Sequence, residues 1–380
     1  MVFRVTLNRV LVLCLLTMSF TWLFHFLKQD DSPKKNVHII ILSSWRSGSS
    51  FLGQIFNHHP DVFYLFEPPR MVWVKLPNER ADYLHYPIRD LIHSLFNCDV
   101  SPLHYYLPRN GRYISDLPYF SESRALCFPP ACKKMKHYDT YDRPTCFQRC
   151  GYVPLEMMAE ACKIHSHVVL KTVRILDIRF LLPLLRDPNL DLRIIHLVRD
   201  PRGVAFSRKN FNLLKEEDLI VTRRGGKEKG EKHRKPNVTQ VMFNICKAQA
   251  DIFEAAQLAG PLLQGRYMVI RHEDIAIDTL ASVDKVYKFA GLGMTPAIET
   301  WLLKITNQKN KEQRSFMSFV GESQRIIQKW RMNLNHKTVL EVQDACKEAM
   351  DVFGYQPIKS LKEQKDLKLD LLRKEIKSRG

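Results

Sequence analysis

The chain has no Gly-x-x-x-x-Gly-Lys-Ser/Thr run, and no lysine stands in front of Ser49 in its best phosphate-loop candidate. That absence disfavours an ATP-type cradle and, with it, a nucleotide kinase. Close cysteine knuckles are missing too. Cys127-x4-Cys132 and Cys146-x3-Cys150 are spaced too widely, and no histidine stands as a regular partner, so a zinc module is the weaker reading. No internal repeat is apparent. Acidic residues are in deficit, with 40 Asp and Glu against 58 Lys and Arg, giving a net charge of +18. Such an excess suits an anionic partner: nucleotide phosphates, an acidic polysaccharide, nucleic acid or a membrane surface. Part of it sits in the lysine-rich segments Arg223 to Lys235 and Lys359 to Arg379, which read as solvated.

At 380 residues the chain is long enough to bury a sizeable core. Val10 to Leu27 is an 18-residue apolar run, long enough at helical rise to cross a thin bilayer. It exceeds a usual signal-peptide core. No small-x-small cleavage site follows it, only Lys28, Gln29, Asp30 and Asp31. The expected layout is a cytoplasmic tail at 1–9, an uncleaved signal anchor at 10–27 and a stem at 28–36. A luminal domain at 37–358 and a charged tail at 359–380 follow. Flanking arginines and lysines compete on the two sides of the run, and the large C-terminal domain favours a type II orientation. Cys14 falls inside the anchor, leaving eight cysteines, an even count that suits disulfides in an oxidising lumen. Asn237-Val238-Thr239 is the one glycosylation sequon, set in a polar stretch.

The densest signal lies at Val37 to Phe51. A short β-branched run, Val37 to Leu42, enters the small-residue loop Ser-Ser-Trp-Arg-Ser-Gly-Ser-Ser, and an apolar-faced helix is expected from Phe51 to Phe56. Backbone N–H groups and a helix N-terminus converge at such a turn and favour an anion. Arg46 supplies charge, while Ser47, Gly48, Ser49 and Ser50 allow close approach. A serine-rich turn with a solvent-facing arginine is the plain alternative.

Alternation of strands and helices resumes beyond an irregular stretch from about Pro77 to Cys162, rich in cysteine, proline and aromatics. Strands are expected at His167 to Thr172, Leu192 to Val198 and Tyr267 to Ile270. Helices are expected at Leu176 to Leu185, from Pro201, at Leu280 to Ala290 and at Thr338 to Phe353. The fold class is α/β: a P-loop-like parallel sheet flanked by helices, with a disulfide-stapled irregular insertion and an N-terminal transmembrane anchor.

Arg199-Asp200-Pro201-Arg202-Gly203-Val204-Ala205-Phe206-Ser207 puts an arginine at a strand end and a serine about two turns into the next helix. Ligands of open α/β sheets bind beyond the carboxyl ends of the strands, so this motif and the Arg46 loop can serve one ligand with two anionic groups. An ordinary capped helix with a salt-bridged arginine is the alternative for this motif alone.

Together the two motifs resemble those of the Golgi carbohydrate 6-O-sulfotransferases. His59 to Pro68, Val168 to Lys171 and Arg271 to Asp274 extend the similarity over nearly all the luminal chain. The segment from Ser43 to Leu65 is most similar to the N-acetylglucosamine 6-O-sulfotransferases. Phe66-Glu67-Pro68-Pro69-Arg70 departs from their usual pattern on the acceptor side. The resemblance implies 3′-phosphoadenosine 5′-phosphosulfate as donor, a glycan acceptor, the Golgi membrane, and neither a metal nor a nucleic acid. Galactose or N-acetylgalactosamine 6-O-sulfation, and a non-catalytic anchored binder of anionic glycans, are the alternatives. A homo-oligomer is left open.

By that resemblance Trp45 to Phe51 would bind the 5′-phosphosulfate and Arg199 to Ser207 the 3′-phosphate. A sugar hydroxyl is a weak nucleophile and calls for a base. Glu67 is the first candidate, with His59 the runner-up and an ion-pair role the alternative for Glu67. Lys171, at a strand end, is the candidate donor or acceptor contact. Groups that read the acceptor sugar are expected from the Pro68 to Cys162 insertion and from Ser323 to Arg331.

Overall fold

The structure is a computed structural model that describes residues 36–108, 111–136, 139–209, 215–222, 237–307 and 323–376. The expected anchor, the cytoplasmic tail, the stem up to residue 35 and the polar loop 223–236 lie outside the described residues. Among the described residues, no helix is long and apolar enough to cross a membrane.

Five parallel strands form the sheet, in the order β2-β3-β1-β4-β5. They are β1 (Val37–Ser43), β2 (Val62–Phe66), β3 (His167–Thr172), β4 (Asp191–Val198) and β5 (Tyr267–Arg271). The central strand, β1, is buried on both faces, as an all-parallel sheet requires. Its side chains alternate between two cores. Ile39 and Ile41 pack with the helices Ser49–His58 and Thr279–Ala290, whereas Ile40 and Leu42 pack with Ala81–Phe96 and Val238–Leu258. Register then sets where function can sit: Leu42 pairs with Thr172, Ser43 with Leu197, Phe66 with Lys171 and Val198 with Arg271. The Arg46 loop, Glu67, Lys171 and the Arg199 motif therefore all start from one edge of the sheet, its carboxyl edge.

All eight cysteines beyond Cys14 are paired, as Cys98–Cys162, Cys127–Cys146, Cys132–Cys150 and Cys246–Cys346. The first three staple the insertion, and the last ties Val238–Leu258 to the C-terminal helices.

Three expectations need correction. The insertion is not simply irregular, because it contains the 16-residue helix Ala81–Phe96, whose Leu84, Ile88, Leu91, Ile92 and Leu95 form one buried stripe. Pro87 inside it hides the helical pattern from a reading that treats proline as a breaker. The helix expected at Leu176 to Leu185 starts later, as a 3₁₀ turn Ile178–Leu181 capped by Asp177, and continues as the short helix Leu182–Leu185. The single helix expected from Thr338 to Phe353 is two, His336–Ala345 and Lys347–Phe353, with the disulfide-bonded Cys346 between them.

The charged C-terminal segment packs on the domain as far as it is described. The buried Arg331 donates to the carbonyls of Glu363, Gln364, Asp366 and Leu369. Arg271, at the end of β5, donates to those of Arg373 and Lys374.

Candidate active site

The loop after β1 turns directly into a helix N-terminus. Gly48 caps the helix Ser49–His58 in the left-handed region, at φ 88°, and no side chain caps that helix. The first-turn N–H groups that a helix leaves without intrahelical partners thus stay available at the loop. A Cβ on Gly48 would lie 2.2 Å from Nδ1 of His272, so only glycine fits under that ring. Ser44 and Ser47 share a hydroxyl contact of 2.6 Å that tightens the turn. Phe51, expected at the donor, buries its ring in the core, and its N–H bonds the Gly48 carbonyl. Trp45 is also turned inward, against Trp73 at 5.3 Å.

Arg46 has φ 71°. Its Nε donates to the Ser207 hydroxyl at 2.9 Å, and the Arg199 guanidinium donates to the Arg46 carbonyl at 2.9 Å. The two sequence motifs are therefore one structure. Burial, together with neighbouring Arg199 and Arg208, lowers the Arg46 pKa, which marks a cationic pocket short of negative charge. Nε of Arg199 is buried without a hydrogen-bond partner among the described residues. A desolvated guanidinium with a spare donor is what a phosphate oxygen would satisfy.

Behind Arg199 lies a buried carboxyl. Glu273 accepts from the Asp200 N–H at 3.1 Å and from the Tyr355 hydroxyl at 2.9 Å. Burial first, and then Asp200, push its pKa up to about 7, against the pull of Arg199.

The remaining members of the second motif do other work. Arg202 is fully buried, bonded to Asp200, Gln343 and the Gln356 carbonyl, and stacked over Trp330 at 4.2 Å. It anchors the C-terminal helices and does not face the cradle. Val204 and Ala205 belong to a core cluster, and Phe206 packs on another. Pro201 opens the helix Pro201–Lys209, and a Cβ on Gly203 would press on Arg199 at 3.2 Å.

Glu67 follows β2 with φ 52° and is 8 % exposed. Its two carboxylate oxygens are taken by Lys171 and by Arg174. Burial alone would raise its pKa, but the two cations outweigh it and hold the carboxyl at about 2. Lys171 also lies 4.0 Å from the Phe66 ring centroid, and Arg174 sits against Trp45 and Trp73. Trp45 thus links the phosphate loop to the cation that grips Glu67. The sequence reading missed Arg174. The signal was a second cation three residues after Lys171, just past the end of β3.

His59, the runner-up base, sits at the opposite edge of the sheet. It precedes β2 whereas Glu67 follows it, and five strand residues span about 16 Å. Its Nδ1 accepts from the Asp61 N–H, and its Nε2 contacts the Gly293 carbonyl, both at 3.2 Å. That is a turn residue, so its candidacy as base is withdrawn. Arg331, expected near the acceptor, is spent on the tail carbonyls. Asn237 stands at the N-cap of Val238–Leu258, where its side chain accepts from the Thr239 N–H and it is exposed.

Comparison with known proteins identifies the family. A family model described as Sulfotransferase domain matches residues 36–354. Mouse carbohydrate sulfotransferase 4 is 40% identical over 346 residues, covering 91% of this chain and 89% of that protein. Human carbohydrate sulfotransferase 6 is 39% identical over 368 residues, covering 94% and 92%. Human carbohydrate sulfotransferase 1 is 33% identical over 361 residues, covering 90% and 86%. Among solved structures, the sulfotransferase domain of the Synechococcus PCC 7002 olefin synthase aligns over 84% of this chain and 96% of that one, at 15% identity and a TM-score of 0.42. The family match and identities of this extent establish that the chain belongs to the carbohydrate sulfotransferase family, as an enzyme that transfers sulfate to a carbohydrate.

Proposed function

We propose that the protein moves the sulfuryl group of 3′-phosphoadenosine 5′-phosphosulfate to the 6-hydroxyl of N-acetylglucosamine in a glycoprotein or keratan-type glycan. The observation that carries this reading is the double contact of Arg46 with Ser207 and of Arg199 with the Arg46 carbonyl. It joins two cationic strand ends into one site, and the donor has two separated anionic groups to match. In this reading the loop from Trp45 to Phe51 takes the 5′-phosphosulfate, mainly through Arg46 and backbone N–H groups. Arg199 and Ser207 take the 3′-phosphate.

The acceptor oxygen attacks sulfur in line as the bond from sulfur to the 5′-phosphate oxygen breaks. The hydroxyl proton passes to Glu67, and adenosine 3′,5′-bisphosphate departs with the bonding pair. Arg46 and the uncapped helix turn stabilise the charge gathering on the leaving phosphate. Lys171 and Arg174 hold Glu67 ionised before the donor binds. Sulfuryl oxygens then compete for Lys171, freeing a carboxylate oxygen for the proton. The four disulfides favour an oxidising compartment, in keeping with a Golgi membrane protein of type II topology that carries a glycan on Asn237.

The test is incubation with radiolabelled phosphosulfate donor and a panel of terminal N-acetylglucosamine, galactose and N-acetylgalactosamine acceptors, with the product sited by mass spectrometry. Label at carbon 6 of N-acetylglucosamine is expected. Label mainly on either other sugar overturns the sugar assignment, and no label on any acceptor overturns the reading.

A further inference from the structure

Beside Glu67 the structure has a small apolar pocket between the end of β2 and the insertion. Leu65, Phe66, Met71, Tyr119 and Leu126 contribute its walls, and Ser123 is its buried hydroxyl. Ser123 is the informative residue. It occupies the N-cap of the short helix Arg124–Cys127, yet its side chain makes no capping bond. A serine at that position ordinarily spends its hydroxyl on the N–H groups of the first turn. Here Oγ of Ser123, with the residue 1 % exposed, has no hydrogen-bond partner among the described residues. A buried hydroxyl without a partner is costly, so its retention in an apolar pocket points to a ligand that completes it. Tyr119, on the wall, is held at φ 63°, an unusual conformation for a bulky residue. Glu67, next to the pocket-wall residue Phe66, is also left-handed, at φ 52°, and such strain is often retained for function. Phe66 meets Tyr119 edge-on at 5.1 Å, so the pocket wall is continuous with the residue next to Glu67.

We propose that this pocket receives the 2-acetamido group of the acceptor sugar and selects acetamido sugars over sugars with a free 2-hydroxyl. The inference rests on the glycan reading above and names which substituent that site recognises. An acetamido group has a methyl, which fits between Leu65, Met71 and Leu126, and a carbonyl oxygen, which accepts from the Ser123 hydroxyl. A 2-hydroxyl would leave the apolar volume unfilled and Ser123 unpaired. Discrimination of this kind depends on buried polar groups that only the right substrate satisfies. N-acetylglucosamine and N-acetylgalactosamine share the group, so the pocket separates both from galactose and not from each other.

The test uses the full-length protein, the phosphosulfate donor and a series of glucosides whose 2-substituent is hydroxyl, formamido, acetamido or butanamido. The wild type is expected to favour acetamido over hydroxyl by about tenfold or more in kcat/KM and to reject butanamido on size. Ser123→Ala should lose about tenfold on the acetamido sugar alone while binding adenosine 3′,5′-bisphosphate as the wild type does, which shows that it is folded. Saturation-transfer NMR with N-acetylglucosamine and the bisphosphate should place the strongest contact on the acetyl methyl. Equal use of the hydroxyl and acetamido glucosides, or an unchanged Ser123→Ala profile with sulfate transfer intact, overturns the pocket assignment and leaves the sulfotransferase reading standing. No sulfate transfer to any sugar in the series overturns both.

Discussion

Nε of Arg46 donates to the Ser207 hydroxyl at 2.9 Å although the two residues lie 161 positions apart. The bond spans two strand ends that β1 and β4 bring together by direct parallel pairing, Ser43 against Leu197. Removing the guanidinium therefore breaks this joint as well as the donor contact proposed for Arg46. Arg46→Ala is expected to lose both donor affinity and turnover, by about tenfold or more each, because a charge-assisted bond to an anion is roughly twice as strong as a neutral one. Lysine at this position should recover only part of the loss, since it restores the charge without the planar fork. Calorimetry with adenosine 3′,5′-bisphosphate and a donor-saturation curve check this; unchanged affinity together with unchanged rate would remove Arg46 from the site.

Arg199 offers a separate test, because its buried Nε has no hydrogen-bond partner among the described residues. The wild type should bind adenosine 3′,5′-bisphosphate much more tightly than adenosine 5′-phosphate, and Arg199→Ala should erase most of that gap. A mutant that still discriminates as well as the wild type would mean that the 3′-phosphate is read elsewhere.

The Glu67 cluster makes two opposed predictions. On the proposal that Glu67 takes the hydroxyl proton, Glu67→Gln should cut turnover by about two to four orders of magnitude. It also strips Lys171 and Arg174 of their shared buried counter-charge, which costs about 3–5 kcal/mol when one partner of a buried pair is lost. Thermal denaturation should register that cost. Arg174→Gln acts the other way on the acid. With one cation gone, the Glu67 pKa rises from about 2, so the acid limb of the kcat/KM profile should move to higher pH while the base remains present. An acid limb unmoved in a folded Arg174→Gln protein would show that Glu67 is not the base.

Legibility in the sequence followed the range of the interactions. Strands β1, β3 and β4 could be read from short β-branched runs, because they are buried almost throughout and local composition reports that directly, whereas the edge strand β5, buried only at Ile270 and Arg271, was read from its apolar run alone. The turn after β1 could be read as a strand-to-helix turn because its pattern is contiguous: strand, small residues, cation, helix. What escaped depends on long-range pairing. Arg174 looks like any cation after a strand until β2 and β3 place it against Glu67. Arg202 looks like a ligand residue by its place in the motif. Only the folded C-terminal helices reveal that Asp200, Gln343 and Trp330 consume it. Ser123 has no sequence signal, since a cap serine and a serine withheld from capping read alike.

On the proposal that Arg199 takes the 3′-phosphate, Glu273 should make that binding depend on pH. Its folded pKa of about 7 lies above the ordinary value of 4.5, so the folded state holds a proton that the unfolded chain would release. This group's contribution to stability is complete below about pH 4.5 and is lost as pH rises through 7. The same ionisation sets a negative charge beside Arg199, where it competes with a phosphate for the guanidinium. Affinity for adenosine 3′,5′-bisphosphate should therefore weaken between pH 6 and 8 by up to about tenfold more in the wild type than in Glu273→Gln, one pH unit of linkage being worth a factor of ten. Because the ligand's own titration is common to both proteins, the difference between their slopes isolates Glu273. The amide keeps an oxygen for the Asp200 N–H and a neutral partner for the Tyr355 hydroxyl, so the variant should fold. Parallel pH slopes in the two proteins would show that the carboxyl behind Arg199 does not titrate in this range.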